Sequence, residues 1–252
     1  MTALICMAAV ATVLIAAPAT ADTTITVDQN GEAGWVFNPD PANATAFEFS
    51  TEQASIGTGS AKGGPIGPTA AEKLIGGKEV GIPVSDLDSF AYDFLVAGNG
   101  TAASGKHFYL NVYANIDNST NFYDCRFDYL PAIGSTTEFT TATVTPTDVA
   151  TTVSKRGTRL VGPCPATLAG MPAGSHVRAI ALNIGDTGVS DVGLAGYLDN
   201  VRIATTSETT TYDFEASPAS KDDCKNGGWA AFGFPNQGAC VSSLQANGNA
   251  GK

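Results

Sequence analysis

Residues 107–116 read HFYLNVYANI, and residues 121–130 read NFYDCRFDYL. In the first stretch Phe108, Leu110, Val112, Ala114 and Ile116 fall on one side, with His107, Tyr109, Asn111, Tyr113 and Asn115 on the other. In the second, Tyr123, Cys125, Phe127 and Tyr129 alternate with Asp124, Arg126 and Asp128. A side-chain period of two belongs to a strand with one buried face, because successive Cβ atoms point to opposite sides of a sheet. Asp117-Asn118-Ser119-Thr120, between the two stretches, is a cluster of turn formers. Two such strands on either side of a short polar loop predict an antiparallel hairpin.

The same alternation continues outward. Residues 89–96 (SFAYDFLV) set Phe90, Tyr92, Phe94 and Val96 against Ala91, Asp93 and Leu95. Residues 178–184, 197–204 and 210–214 read as further strands, the last two joined through Thr206-Ser207-Glu208, and 35–37 and 46–49 as N-terminal strands. Residues 135–152 (STTEFTTATVTPTDVATT) are rich in Thr, whose branched Cβ favours extended backbone, and predict one or two edge strands. Before residue 219 only 69–75 offers a turn or two of helix. Short strands with one apolar face each, separated by Gly, Pro, Asn and Asp clusters, predict an all-β, antiparallel two-sheet sandwich of jelly-roll kind.

Composition bounds the function. The 252 residues carry 13 Lys and Arg against 24 Asp and Glu, a net charge of −11, which leaves no basic stripe for tracking nucleic-acid phosphates. At 43% hydrophobic the chain is too apolar to be disordered. Residues 3–17 (ALICMAAVATVLIAA) form an apolar run ahead of Pro18-Ala19-Thr20-Ala21, the small-x-small pattern of a signal-peptidase site. The expected divisions are a signal peptide over 1–21, a sandwich over 22–216 and a short helical tail over 217–252. No Lys or Arg precedes Lys62, so the usual basic start of such a segment is missing, and a start codon lying upstream would account for it. An uncleaved anchor is the alternative, although the run is shorter than the roughly 20 residues of a spanning helix. After cleavage the chain has no membrane span, and the expected location is outside the cell or at its surface.

Cysteine usage agrees with export. The mature chain keeps Cys125, Cys164, Cys224 and Cys240, an even number that suggests two disulfides with three connectivities. Pairing Cys125 with Cys164 and Cys224 with Cys240 closes each loop inside one region and is the expected arrangement. Zinc is disfavoured, since no C-x-x-C occurs and neither His107 nor His176 lies near a cysteine pair. In the tail, Ser220 is placed to cap a short helix that ends at Gly227-Gly228, and a second helix is expected from about Gln237 to Ala246. A Cys224–Cys240 bridge, with Trp229, Phe232 and Phe234 in contact, would stabilise two helices too short to stand alone.

Two stretches carry resemblances. KDDCKNGGWAAFGFPNQGACVSSLQ (221–245) resembles a short C-terminal module found at the ends of many secreted bacterial proteins, through Lys221, Cys224, Asn226, Gly227, Gly228, Trp229, Asn236, Gln237, Gly238 and Cys240. GYLDNVRI (196–203) is similar to the final-strand motif of jelly-roll sandwiches of the carbohydrate-binding-module and concanavalin-like kind. That likeness implies a sandwich fold, sugar binding and a structural calcium ion held by Asp199 with an N-terminal acid such as Glu48. Alternation also places Asp199 on one face with Tyr197, Val201 and Ile203, where a buried carboxylate needs a partner. Backbone amides of a turn are the other way to supply one. Asp86 and Asp88 form a weaker candidate of the same sort.

The candidate ligand surface is the polar face of the central hairpin. Tyr109, Asn111 and Tyr113 would neighbour Asp124, Arg126 and Asp128, offering rings to stack on sugar faces and directional groups for hydroxyls. An ordinary solvated sheet face is the competing reading. No catalytic residue is nominated: G-x-S-x-G, H-E-x-x-H, a P-loop and E-x-D-x-E are all missing. Asp124 and Asp128, four residues apart on one strand, stand about 13 Å from each other, too far to share one glycosidic bond. The expected role is a non-catalytic glycan-binding or cell-surface module, its partner a carbohydrate or a cell-envelope component. A structural or adhesive protein without sugar specificity is the main rival, and a glycan hydrolase a lesser one. Asn43, Asn99 and Asn118 lie in N-x-[ST] sequons, and 98–105 reads as a glycine-rich loop without the strand-to-helix context of a phosphate site.

Overall fold

Strands with one apolar face have to be covered in pairs of sheets, and the computed structural model shows how this chain does it. The structure describes residues 21–29, 33–37, 47–66, 74–98, 108–117, 119–132, 134–155, 160, 162–185 and 192–248. The expected signal segment before Ala21, His107, the three sequon asparagines and most of the 98–105 loop lie outside the described residues. The strands are β1 (Ala21–Val27), β2 (Trp35–Val36), β3 (Glu48–Ser50), β4 (Ser60–Gly63), β5 (Leu74–Pro83), β6 (Leu87–Gly98), β7 (Tyr109–Asn115), β8 (Cys125–Tyr129), β9 (Thr140–Val144), β10 (Thr151–Ser154), β11 (His176–Ile184), β12 (Leu194–Thr205) and β13 (Glu208–Phe214). One helix, α1 (Gln237–Gly248), follows near the C-terminus.

The strands form two sheets. The six-stranded sheet runs β10-β8-β7-β11-β5-β2, and the other holds seven strands around β12 and β6. The hairpin read from the sequence is its centre: β7 and β8 pair antiparallel, with Asn111 opposite Asp128 and Tyr113 opposite Arg126. The core lies between the sheets. Phe90, Tyr92, Phe94 and Val96 of β6 and Leu198, Val201 and Ile203 of β12 meet Leu110, Val112, Phe127, Ile180 and Leu182, all at most 4% exposed. Each such side chain contributes roughly 1.5–3 kcal/mol on burial. Rings bridge the layers: Phe94 to Phe108 at 5.7 Å, and Trp35 to Phe214 at 5.3 Å. The Tyr92 hydroxyl donates across the gap to the Phe108 carbonyl at 2.9 Å.

The Thr-rich stretch supplies an edge to each sheet, β9 beside β6 and β10 beside β8. Cys125 and Cys164 form a disulfide that closes a 39-residue separation, which in the chain-entropy account is worth about 4 kcal/mol. The turn of helix expected over 69–75 is corrected in its described part, since Leu74 and Ile75 open strand β5. A Cβ at Gly76 would press on the Phe37 ring at 3.2 Å, so a side chain here would require that ring to shift by a few tenths of an ångström.

β12 does something the alternation did not foresee. Along one edge it pairs with β4 through Gly196–Leu198, then with β13 through Val201–Ala204. The two partners part at Asp199 and Asn200, where the register with β6 shifts and Asn200 takes a left-handed φ of 49°. The bulge changes the parity of the strand. Leu198 and Val201 both enter the core, so Asp199 does not share a face with Val201 and Ile203 as expected. It lies instead, fully buried, in the fork. One oxygen accepts from the amides of Ser55 and Ile56 at 2.9 and 3.0 Å, the other from Asn200 and Phe214 at 2.7 and 3.2 Å. Asp93, directly opposite on β6, accepts from Asn200 Nδ2 and Thr141 Oγ1, each at 2.7 Å, and from the Ser55 hydroxyl. Glu215 accepts from the amide and hydroxyl of Thr58 at 2.7 and 2.8 Å. Three carboxylates therefore pin the 55–58 turn to the sheet.

The tail is a bridged pair of short elements. Cys224 and Cys240 form the second disulfide, and α1 packs on a 3-10 turn, Gly228–Phe232. The helix expected from Ser220 is not formed; residues 219–227 are a run of turns. Asp223 reaches back to accept from the amides of Ala219 and Ser220 at 2.9 and 2.8 Å, and Asn226 and Gly227 adopt left-handed φ of 52° and 89°. The root of the tail is fixed to the end of β1, where Ser217 bonds Asp28 and Gln29.

Two predictions follow from the fork. Asp199→Ala leaves two buried and two half-buried amides without an acceptor and lowers stability by about 3 kcal/mol in urea unfolding; a loss under about 1 kcal/mol contradicts this role. Burial pushes the carboxyls of Asp199 and Asp213 up to about 6, for Asp213 with added repulsion from Glu215 and Asp199. The folded chain thus holds these protons more tightly than the unfolded chain, so stability is greatest below about pH 4 from this source and declines as pH rises towards 6. Asp213→Asn should flatten that decline in thermal melts across pH 4–7.

Candidate functional site

The outward face of the six-stranded sheet is built in two parts. Across its middle, β11 and β5 present small residues. Ala179 and Ala181 alternate with the core residues Ile180 and Leu182, and Ala181 pairs with Gly77 of β5. A Cβ at Gly77 would meet only the Ile180 carbonyl, at 3.8 Å. Tyr113 and Phe122 rise on the β7 side of this floor and Gly34 and Val36 on the β2 side, enclosing a trough of about 230 Å³. From β7 to β2 is three strand spacings, so the walls stand on backbones about 14 Å apart. The floor, of Gly77, Ala179 and Ala181, is apolar.

The wall on the β7 side is a cluster of three rings. Tyr113 lies 5.2 Å from Phe122 and 5.4 Å from Tyr123, with Phe122 and Tyr123 6.3 Å apart, all tilted or edge-on, the preferred aromatic geometry. Phe122 is 48% exposed. Two cations flank the cluster. The Arg178 guanidinium stands 5.1 Å from the Phe122 ring centre, and the Lys155 ammonium 5.6 Å from that of Tyr123. Arg178 occupies the position where β11 slips register against both neighbours, and its Nη2 lies 3.3 Å from Glu79.

The second part is a string of polar groups crossing three strands. Arg126 holds Asp128 by two bonds at 2.7 and 2.8 Å. Asp128 accepts from Asn111 at 2.6 Å, and Asn183 donates to Asn111 at 3.0 Å. The ion pair with Asp128 is the main cause that raises the Arg126 guanidinium. Burial raises the Tyr113 hydroxyl above its usual range, with Asp128 adding to the effect and Arg126 opposing it. Asn111 and Asn183 are at most 1% exposed and Tyr109 is 5% exposed, so this end of the face is closed.

The sequence-nominated residues divide accordingly. Tyr113, Arg126 and Asp128 come together beside the trough. Tyr109 and Asn111 lie on the same face but buried. Asp124 does not join them: it is fully buried, accepting from the Ile116 amide at 3.0 Å and Asn121 Nδ2 at 2.7 Å. The alternation assumed over 121–130 holds only from Cys125, where β8 begins, so Tyr123 turns onto the Tyr113 side. Phe122, Lys155, Arg178 and the small-residue floor were not nominated. Their signal was the adjacent aromatic pair at a turn and the alternating alanines of RAIAL.

The residues implied for calcium are not brought together. Glu48 is an exposed residue of β3 paired with Lys62 of β4, while both Asp199 oxygens are taken by amides. Calcium needs six to eight oxygen ligands. Among the described residues no group of three or more Asp, Glu, His or Cys is placed to hold a metal ion, so Asp199 and Glu48 do not fit one. Asp86 ends a 3-10 turn, and its carbonyl accepts from the Thr206 amide.

No family model and no curated protein matches the sequence. Solved structures similar to this chain include a family 11 carbohydrate-binding module of a cellulosomal cellulase of Clostridium thermocellum, 8% identical over 68% of this chain and 88% of that one, with a TM-score of 0.46. The family 11 module from Clostridium thermocellum in complex with a β-1,3-1,4-mixed-linked tetrasaccharide is 12% identical over 72% and 94%, with a TM-score of 0.44. A carbohydrate-binding module specific for non-crystalline cellulose is 13% identical over 69% and 90%, with a TM-score of 0.34.

Because a Cβ at Gly77 makes only an ordinary contact with the Ile180 carbonyl, Gly77→Leu should fill the trough without disturbing the fold. We expect its thermal midpoint to stay within a few degrees of the parent, since a surface substitution of this kind changes stability by about 0.5 kcal/mol.

Proposed function

We propose that the trough on the six-stranded sheet binds a glycan chain without acting on it. The observation that carries this reading is the partly exposed Tyr113–Phe122–Tyr123 cluster standing over a floor of Gly77, Ala179 and Ala181. A pyranose ring has an apolar face that packs on an aromatic ring and hydroxyls that take directional bonds from its edge. The trough offers the ring, the room and, at its rim, Arg126–Asp128 and Arg178–Glu79.

Asp128 is committed to Arg126 and Asn111, which leaves Glu79, in one exposed contact with Arg178, as the single acid in the trough lining. That favours retention over hydrolysis. Two disulfides support export to an oxidising compartment as part of this reading. No helix among the described residues is long and apolar enough to cross a membrane.

A second reading, an adhesive surface without sugar specificity, has one observation behind it. The trough lining is largely apolar, and Val36 at its rim is 51% exposed. One experiment separates the two. Affinity electrophoresis through a panel of soluble polysaccharides should retard the parent protein, and Tyr113→Ala with Phe122→Ala, or Gly77→Leu alone, should reduce binding about tenfold or more. Retardation that survives both variants removes the trough from the binding site. No retardation by any polysaccharide, with self-association in sedimentation that Gly77→Leu abolishes, would favour the adhesive reading.

A further inference from the structure

We infer that the glycan taken by this face carries acid groups on its sugar rings, an inference that rests on the reading of the trough as a glycan site. The chain is acidic overall, with a net charge of −11, yet its cations gather here. Of the eight basic residues among those described, Arg126, Lys155 and Arg178 border the aromatic cluster. Elsewhere Lys62, Arg202 and Lys225 are paired with acids and Lys221 lies in the tail, while Lys78, part of the trough lining, bonds the Ala33 carbonyl.

The three differ in how free they are. Arg126 is held by two short bonds to Asp128 and is committed to the sheet. Arg178 lies over Phe122, with its side chain 39% exposed, and shares one contact of 3.3 Å with a Glu79 that is 73% exposed. A solvent-exposed pair of that length holds weakly. Lys155 is exposed over Tyr123, and among the described residues no carboxylate is paired with it.

The arrangement fits an anion better than a neutral ring. A neutral sugar beside Phe122 takes only an ordinary hydroxyl bond from the guanidinium that lies over that ring. An acid group arriving beside the ring replaces Glu79 and takes the two-pronged bond that the planar guanidinium offers. On the far side of the cluster, Lys155 supplies a second point charge for a neighbouring acid group. The acid is either the carboxylate of a uronic acid or a sulfate ester, since both present the same cluster of anionic oxygens.

Calorimetry on the intact protein tests this with four probes: an oligogalacturonate, its methyl ester, a sulfated galactan oligosaccharide and a neutral mixed-linkage glucan oligosaccharide. The expected result is that an acidic probe binds about tenfold or more tightly than the ester and the glucan, the gain of a charge-assisted bond over a neutral one. Preference for the galacturonate identifies a carboxylate; preference for the galactan identifies a sulfate. Arg178→Gln with Lys155→Gln should bring the acidic probe down to the level of the neutral ones, while Arg178→Lys with Lys155→Arg keeps most of the preference. Neutral probes bound as tightly as acidic ones overturn the inference and leave the glycan site standing. If none of the four binds, both fall. An acid preference that survives the Gln variants overturns the assignment to Arg178 and Lys155.

Discussion

One buried carboxylate lets a single strand serve two partners. A sheet edge that passes from β4 to β13 must leave unpaired amides where the partners separate, and amides left dry are costly. Asp199 stands there and accepts from four of them, on three separate segments of chain. The charge is itself expensive to bury, which is why the carboxyl is pushed up to about 6 despite those bonds. The compromise sets the geometry of the seven-stranded sheet, and that sheet supplies half of the core on which the opposite one lies.

The six-stranded sheet then has one face committed to that core and one available. What makes the available face a trough is less the presence of large residues than their absence. Gly77, Ala179 and Ala181 leave the middle low, and rings on β7 and the loop before β8 stand beside it. The polar string from Arg126 to Asn183 holds neighbouring strands in register and uses up the groups that would otherwise compete for a ligand. The open end thus keeps aromatic surface and exposed cations.

Alternation made the hairpin, β6 and the inward residues readable, because parity survives wherever a strand is regular. It failed where parity is interrupted. The bulge at Asn200 moved Asp199 off the face it was assigned to, and the late start of β8 at Cys125 moved Tyr123 and Asp124. β5 went unread because Gly76, Gly77, Gly81 and Pro83 are turn formers in isolation; Gly76 lies against the Phe37 ring, and Gly81 takes a left-handed φ of 66°. In the candidate site Tyr113, Arg126 and Asp128 were legible. Phe122, Lys155 and Arg178 were not, since their convergence depends on β10 and β11 lying on either side of the hairpin.

β1 is laid parallel to β13, with Ala21 beside Glu208 and Val27 beside Phe214. The first strand of the sheet therefore has no partner until almost the whole chain has been made. The fork imposes the same delay, because Asp199 must meet Ser55 and Phe214 together. Contacts so distant in sequence form slowly. A chain wired in this way completes its seven-stranded sheet only when its last strand arrives, and the edge of that sheet is sealed by the two ends of the sandwich meeting.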